Sequence, residues 1–392
     1  MHTYPSSPFI PRATSPTLKR NIKKSGLDRP LLLYIFLLSL FGTIMVFSAS
    51  TAYAGIRFND SLYFVKRQTL WLFLGLGVML LCSHLCLDKI KRLALPLYGI
   101  VLVLLALVPL VGTEAGGAKR WISLGPLSFQ PSELAKTALI ILLSYYFTTS
   151  KMAEKTHARG KKGILYGILL PLLIFLSFAA LVVLEKHLSC VIILGTITMC
   201  MIFLTGGNGK FLSTMCLGGG GAVATFALAV EYTRRRIVIW LNPELYPRDG
   251  GWQTLQGLLA IGSGGLFGLG LGQSRLKHLY VSEPQNDFIF TIACEELGFI
   301  GATLILLLFT LFTLRGIKVA KEITDPFASL LALGLTVKVA IQVLLNLCVV
   351  TNTLPNTGIS LPFFSYGGSS LLMLYAEMGI LLSASRASQT KK

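Results

Sequence analysis

Apolar and polar residues along this chain fall into long blocks, not into the short periods of a soluble fold. A helix that crosses a bilayer needs about 20 mostly apolar residues. Ten blocks approach that length, at about 31–53, 68–87, 93–112, 133–150, 164–184, 188–206, 211–230, 288–314, 326–350 and 367–385. Only Glu185-Lys186-His187 separates the fifth from the sixth, so a nine-span count also fits the hydropathy. The pattern predicts an all-α integral membrane protein of about ten helices. Its polytopic domain covers 31–385, between a disordered basic cytoplasmic tail at 1–30 and a short cytoplasmic tail at 386–392. The first block follows a polar, Pro/Ser-rich stretch and has no short apolar core with a cleavage site, so it reads as a retained span.

Composition strengthens this reading. The 392 residues are 53% apolar and 13% charged, whereas soluble domains carry about 25% charged residues. The net charge of +18 would raise nucleic acid as a partner in a soluble protein. No RNA-binding or helix-turn-helix signature accompanies it, and basic loops on the cytoplasmic side of a membrane account for it. With the N-terminus inside, 21 of the 35 Lys and Arg residues fall on cytoplasmic segments, most clearly Lys151 to Lys162, and an even span count returns the C-terminus inside. The seven cysteines sit in or beside apolar blocks, with no metal-ligand or disulfide spacing.

The long outer loop at about 231–287, between the seventh and eighth spans, breaks the charge rule. It carries Arg234, Arg235, Arg236, Arg248, Arg275 and Lys277. Outward-facing cations near a bilayer suit either an anionic ligand such as a phosphate or nonspecific lipid headgroups. The loop also holds Gly250-Gly251 and a glycine-rich run from Gly262 to Gly272. Such a run lets backbone approach backbone closely, so the loop is expected to pack on the membrane domain. Its GxGxxG-like spacing has no strand–helix unit around it, which excludes a dinucleotide site. No internal repeat supports an inverted-repeat transporter.

Three polar segments lie at the outer ends of spans: Gly117 to Lys136, Ser282 to Phe290 with Glu295 to Gly298 beyond it, and Asn352 to Ser370. Their wording, KRWISLGPLSFQPSELAK, GLGLGQSRLKHLYVSEPQNDFIFTIACEELG and NTLPNTGISLPFFSYGGSS, resembles the SEDS family (shape, elongation, division and sporulation), which groups the FtsW, RodA and SpoVE proteins. The resemblance runs from about residue 30 to 385, and MVFSASTAYA and SFQPSELAK are worded nearer to the FtsW and SpoVE branches. It implies a ten-span, N-in and C-in glycosyltransferase of the bacterial cytoplasmic membrane, acting at the division septum. Such an enzyme polymerises lipid II into glycan strands on the outer face and releases undecaprenyl pyrophosphate. Its implied partners are a class B penicillin-binding protein, other division proteins and membrane lipids, with no nucleic acid. Two stretches depart from the family. A common Pro-Asp-Leu-Gly step reads Lys186-His187-Leu188-Ser189 here, and Pro-Glu-Ala-His-Thr-Asp reads Ser282 to Asp287, keeping Glu283 and Asp287.

Glycosyl transfer with inversion needs a base for the acceptor hydroxyl and positive charge for the departing pyrophosphate. Asp287, at the head of an apolar helix, is the candidate base; by spacing alone it is equally a helix N-cap. The position matches the essential Asp of the family. Burial would raise its pKa and a helix N-terminus would lower it. Arg275 and Lys277, with Lys119 and Arg120 as rivals, are candidate pyrophosphate partners, and Glu283 a further substrate contact. Trp121 is either a sugar-stacking surface or an interfacial anchor. A divalent cation would assist the leaving group, but no ligand cluster demands one. Charges inside spans are costly and need partners. Lys338 is therefore expected to pair with Glu295, Glu296 or Glu377, and Glu133 with Lys136 at i,i+3, all as structural residues. Tyr366 to Ser369 reads as a packing element. Two other readings stay open: a lipid II flippase or transporter, with the buried charges along its path, and a noncatalytic division scaffold.

Overall fold

The computed structural model describes residues 26–115, 118–125, 127–156, 161–206, 218, 221, 231–247, 251–278, 280–281 and 283–386. The helices are α1 (Arg29–Phe58), α2 (Tyr63–Ser83), α3 (Leu87–Val111), α4 (Pro131–Thr148), α5 (Ser150–Thr156), α6 (Lys161–Leu184), α7 (Leu188–Leu204), α8 (Glu231–Leu241), α9 (Trp252–Ser263), α10 (Ile289–Glu322), α11 (Pro326–Val350) and α12 (Gly368–Ser385). Seven of them, α1, α2, α3, α6, α10, α11 and α12, are long and apolar enough to cross a membrane. α4 and α7 occupy the fourth and sixth expected blocks, with 18 and 17 residues. Most of the seventh block, 211–230, and both tails except 26–30 and Arg386 lie outside the described residues.

The all-α expectation needs one correction. Between α3 and α4 the chain forms a three-stranded antiparallel sheet, β1 (Thr113–Ala115), β2 (Ala118–Leu124) and β3 (Leu127–Phe129). Trp121 pairs with Thr113 on one side, and Ile122 with Phe129 on the other. Strands this short satisfy their backbone only in combination, so no single one stands out as a hydropathy block.

Local chemistry sets the helix ends. Asp28 caps α1, accepting from the Leu31 backbone N–H at 3.0 Å, and also takes Arg315 of α10 at 2.5 Å. Asp325 caps α11 by accepting from the Ala328 N–H at 3.0 Å, with Pro326 at the helix start. α12 packs along α2, where Gly75 lets the Tyr375 ring lie against the helix; a Cβ at that position would overlap the ring.

α10 is broken. Gly298 has φ +67° and ψ −170°, a conformation that is essentially glycine's alone. The glycine-rich run takes up the freed backbone groups. Leu269 N–H donates to Glu295 O at 3.0 Å and Gly270 N–H to Glu296 O at 3.0 Å, while Phe299 N–H donates to Gly265 O at 2.9 Å and Ile300 N–H to Leu266 O at 3.2 Å. Nonhelical backbone within a membrane domain persists only where protein satisfies it.

Two clusters satisfy buried charges between helices, whereas both oxygens of the buried Glu185 carboxylate are without a hydrogen-bond partner among the described residues. Lys338 Nζ of α11 meets both carboxylate oxygens of Glu377 of α12 at 2.6 Å, and Thr137 of α4 donates to the same carboxylate. At the α10 break, Glu295 accepts from the Ser274 hydroxyl and from Arg275 N–H at 3.0 Å. Glu296 accepts from Lys277 Nζ at 3.1 Å, from Ser274 N–H at 3.2 Å and from the Ser48 hydroxyl of α1. Removing one partner of such a pair leaves an uncompensated buried charge. Lys338→Met is expected to cost roughly 3–5 kcal/mol, and Lys338→Met with Glu377→Leu to recover most of it. Denaturant unfolding of the purified chain in detergent reads both; a single variant as stable as wild type would show the pair to be dispensable.

Candidate active site

Asp287 ends a turn, 283–287, that enters α10. The helix's N-cap is Phe288, and no side chain caps it, so the N-cap role open to Asp287 by spacing is not the one it takes. Remote segments hold the turn. Asn346 of α11, fully buried, donates from one amide nitrogen to Asp287 O at 2.8 Å and to Ile359 O at 2.7 Å. Ser365 Oγ donates to Asn286 O at 2.8 Å, and Tyr366 N–H donates to Gln285 O at 2.8 Å. The Asp287 carboxylate faces Gly358, whose φ of +69° keeps that stretch of backbone close to it.

The carboxyl borders a cavity of about 540 Å³. Arg120, Trp121 and Ser128 of the sheet form one wall, and Gln130, Glu133 and Lys136 at the head of α4 continue it. His187 and Ser189 come from the α6–α7 junction, Gln342 from α11, Gly358 to Ser360 and Tyr366 to Ser370 from the segment entering α12, and Arg67 and Trp71 from α2. The three polar segments singled out in the sequence thus converge on one space.

The charges around it are unequal in availability. Lys136 Nζ is tied to Glu133 at 2.7 Å, and both border the cavity. Arg120 donates to Lys186 O at 2.6 Å, and Arg67 lies over the Tyr63 ring at 4.3 Å. Glu283 borders the cavity and accepts from Asn286 Nδ2 at 2.7 Å. Burial lifts the Asp287 carboxyl from the ordinary 3.8 to about 6; Glu283 pushes the same way, while the residue's own backbone N–H and Arg236 oppose it. Burial also dominates at His187, held down to about 3 with help from Arg120 and Lys136, so its imidazole is neutral near pH 7.

Several candidates lie elsewhere. Lys277 is buried with its Nζ on Gly272 O at 2.7 Å and on Glu296, away from the cavity wall. Arg275 is exposed and does not border the cavity. Lys119 is exposed and donates to Pro109 O at 3.5 Å, because alternation along β2 turns it from the side of its neighbour Arg120. Glu295, Glu296, Lys338 and Glu377 also stand off the cavity wall. Tyr366 to Ser369 forms part of the wall, with Gly368 against the Trp71 indole.

Arg67, Trp71, Gln342 and Asn346 were not anticipated. Arg67 and Trp71 are one helical turn apart at the start of α2, and the Lys66-Arg67 pair lies where the topology expected from the sequence has an outer segment, the same signal that marked the 231–287 loop. Gln342 and Asn346 share the i,i+4 spacing in an apolar block, where polar side chains need partners. Among the described residues, no three His, Cys, Asp or Glu side chains come together as a metal site.

These features define a multi-pass helical membrane protein with a polar cavity built around one carboxyl of raised pKa. The family model for FtsW, RodA and SpoVE, described as cell cycle proteins, matches residues 29–390. The chain is 38% identical over 361 residues to the "Probable peptidoglycan glycosyltransferase FtsW" of Geobacter sulfurreducens, covering 91% of this chain and 95% of that protein. It is 40% identical over 371 residues to stage V sporulation protein E of Bacillus subtilis, covering 94% and 99%. Among solved structures it resembles a chain of a peptidoglycan synthase complex that coordinates polymerization and crosslinking, at TM-score 0.74, 29% identity and coverage of 92% and 98%. It also resembles the rod shape determining protein RodA of Thermus thermophilus, at TM-score 0.68, 29% identity and coverage of 93% and 98%. The chain belongs to the FtsW/RodA/SpoVE family.

An isotope-edited infrared titration of wild type minus Asp287→Asn is expected to show a carboxyl midpoint near 6. Asn346→Leu, which frees the turn toward water, is expected to move that midpoint down toward 3.8. An unchanged midpoint in Asn346→Leu would mean that the amide does not hold the carboxyl in place.

Proposed function

We propose that this chain polymerises lipid II into glycan strands by inverting glycosyl transfer, with Asp287 as the general base. The observation that carries the reading is the half-buried Asp287 carboxyl, raised to about 6, on a cavity that also presents Arg67 and Arg120. The curated relatives named peptidoglycan glycosyltransferase, matched over most of the chain, support the same enzyme class.

In the reaction, the acceptor sugar's hydroxyl oxygen attacks the anomeric carbon of the donor. The bond from that carbon to the phosphate oxygen breaks, and undecaprenyl pyrophosphate leaves with the electron pair. The hydroxyl proton passes to Asp287. Arg120 and Arg67 meet the negative charge that grows on the leaving group. Trp121 and Trp71 offer flat apolar faces for sugar rings. A carboxylate of ordinary pKa is a weak base, so a pKa raised toward the working pH is a gain, provided the group is deprotonated when substrate arrives.

The wider setting belongs to the same proposal. The chain has ten spans with both termini inside, so the cavity and the 231–287 loop face the outer side of the bacterial cytoplasmic membrane. A class B penicillin-binding protein is its crosslinking partner, and the division septum, with other division proteins, is its place of action. The FtsW and SpoVE names among the curated relatives favour division or sporulation over elongation. The flippase reading called for Glu295, Glu296, Lys338 and Glu377 along a path; each is instead satisfied by neighbours away from the cavity. A noncatalytic scaffold has no use for a carboxyl of raised pKa on a cavity that two arginines also line.

Purified chain with lipid II and a class B penicillin-binding protein is expected to yield polymer. Asp287→Asn, folded and partner-bound, is expected to lose roughly 100- to 10,000-fold in rate. Only the deprotonated carboxyl accepts a proton, so the wild-type rate should fall about tenfold per pH unit below about 6 and level off above it. Wild-type polymer yield from Asp287→Asn would overturn the assignment.

A further inference from the structure

Beside the polar cavity lies a second space of about 220 Å³ of opposite character. Its wall is apolar, built by Val183, Ile192, Ile237, Leu345, Val349 and Leu354 from α6, α7, α8, α11 and the segment after α11. Three cations also line it, Arg120, Lys186 and Arg236, and no carboxylate does among the described residues. The two spaces share Arg120, His187, Ser189 and Ile359, so the groove opens beside the cavity that Asp287 borders.

We propose that this groove seats the head-proximal isoprenoid units of the lipid diphosphate donor, whose diphosphate is held at the junction by Arg120, Arg236 and the Nε2–H of His187. The proposal deepens the glycosyltransferase reading and rests on it. A long apolar chain carrying two phosphates needs an apolar wall next to concentrated positive charge, and the groove presents both. Its volume is below the roughly 300–1,000 Å³ of a pocket for a whole ligand. It therefore takes the units next to the phosphates and leaves the rest of the chain to the bilayer.

The junction is built to donate. Gln130 Nε2 lies 3.4 Å and Ser132 Oγ 3.2 Å from His187 Nδ1. An amide nitrogen donates, so Nδ1 accepts and the ring proton is on Nε2, the ring's other edge. Arg236 is fixed by NH1 on Asn356 O at 2.9 Å, and Arg120 by NH2 on Lys186 O. The hydroxyl oxygen of Thr357, on the groove wall, is buried without a hydrogen-bond partner. Lys186 and His187 thus place a cation and a neutral donor where the diphosphate would lie.

The test is equilibrium binding to the full-length chain in nanodiscs, with undecaprenyl pyrophosphate, undecaprenol and phosphatidylglycerol as probes. Undecaprenyl pyrophosphate is expected to bind at least about tenfold tighter than undecaprenol, as charge-assisted hydrogen bonds require. His187→Asp should weaken undecaprenyl pyrophosphate about tenfold and leave undecaprenol unchanged. Ile192→Trp, which fills the groove, should weaken both; Leu345→Trp is the second filling variant should the first not fold. Phosphatidylglycerol competing as well as undecaprenyl pyrophosphate, or affinities unchanged in all variants, would overturn the proposal. Undecaprenyl pyrophosphate bound in the expected pattern by a chain that makes no polymer would sink the glycosyltransferase reading and leave the groove. Polymerisation with unchanged KM in both filling variants would do the reverse.

Discussion

Gly298 interrupts α10, and the four backbone groups it releases are taken by the glycine-rich run between α9 and the Asp287 turn. The same constraint acts on the charges of α10, α11 and α12: a polar group carried into an apolar interior is stabilised by a partner in the protein. At the break, the glycines allow backbone to reach backbone, and Lys277, Ser274 and Ser48 gather on Glu295 and Glu296. Between α4, α11 and α12, Thr137, Lys338 and Glu377 form the second cluster. The first cluster ties α10 to α1 and to the glycine-rich segment, and the second ties α4, α11 and α12 together; those helices carry or anchor much of the cavity wall.

The Asp287 turn depends on that framework. Two effects of opposite sign act on the carboxyl, since proximity to a helix start favours the charged form and burial favours the neutral one. The helix begins after Phe288 without using the Asp287 side chain, and burial prevails. The anchors are an amide on α11 and hydroxyl and backbone groups from the segment before α12, so the turn's geometry is inherited from helices remote in sequence. His187 shows the same logic with the sign reversed: burial among cations keeps an imidazole neutral and makes it a donor, not a charge.

Much of this was legible in the chain itself. Hydropathy blocks located the long helices because the requirement for a span is local: enough apolar residues in a row. The three polar segments that carry the family wording are the ones that meet at the cavity. The pairing of Lys338 with an acid followed from the cost of an unpaired charge, although its choice of Glu377 over Glu295 and Glu296 did not. The short sheet was missed because its strands are stabilised by one another, not by any one stretch's composition.

The basic residues mark the limit. Lys119, Arg120, Arg275 and Lys277 were equivalent as sequence, all cations near outer span ends. Folding separated them: Arg120 borders the cavity, Lys119 and Arg275 are exposed away from it, and Lys277 is buried on Glu296. Arg67, from a helix more than two hundred residues before Asp287, supplies a cation that the polar segments did not reveal. The sequence by itself determined the helical membrane architecture and the family, because each rests on local composition or contiguous wording. Only the tertiary structure decided which cations border the cavity of Asp287 and that burial raises its pKa. Both depend on distance and burial, which neighbours from remote segments set.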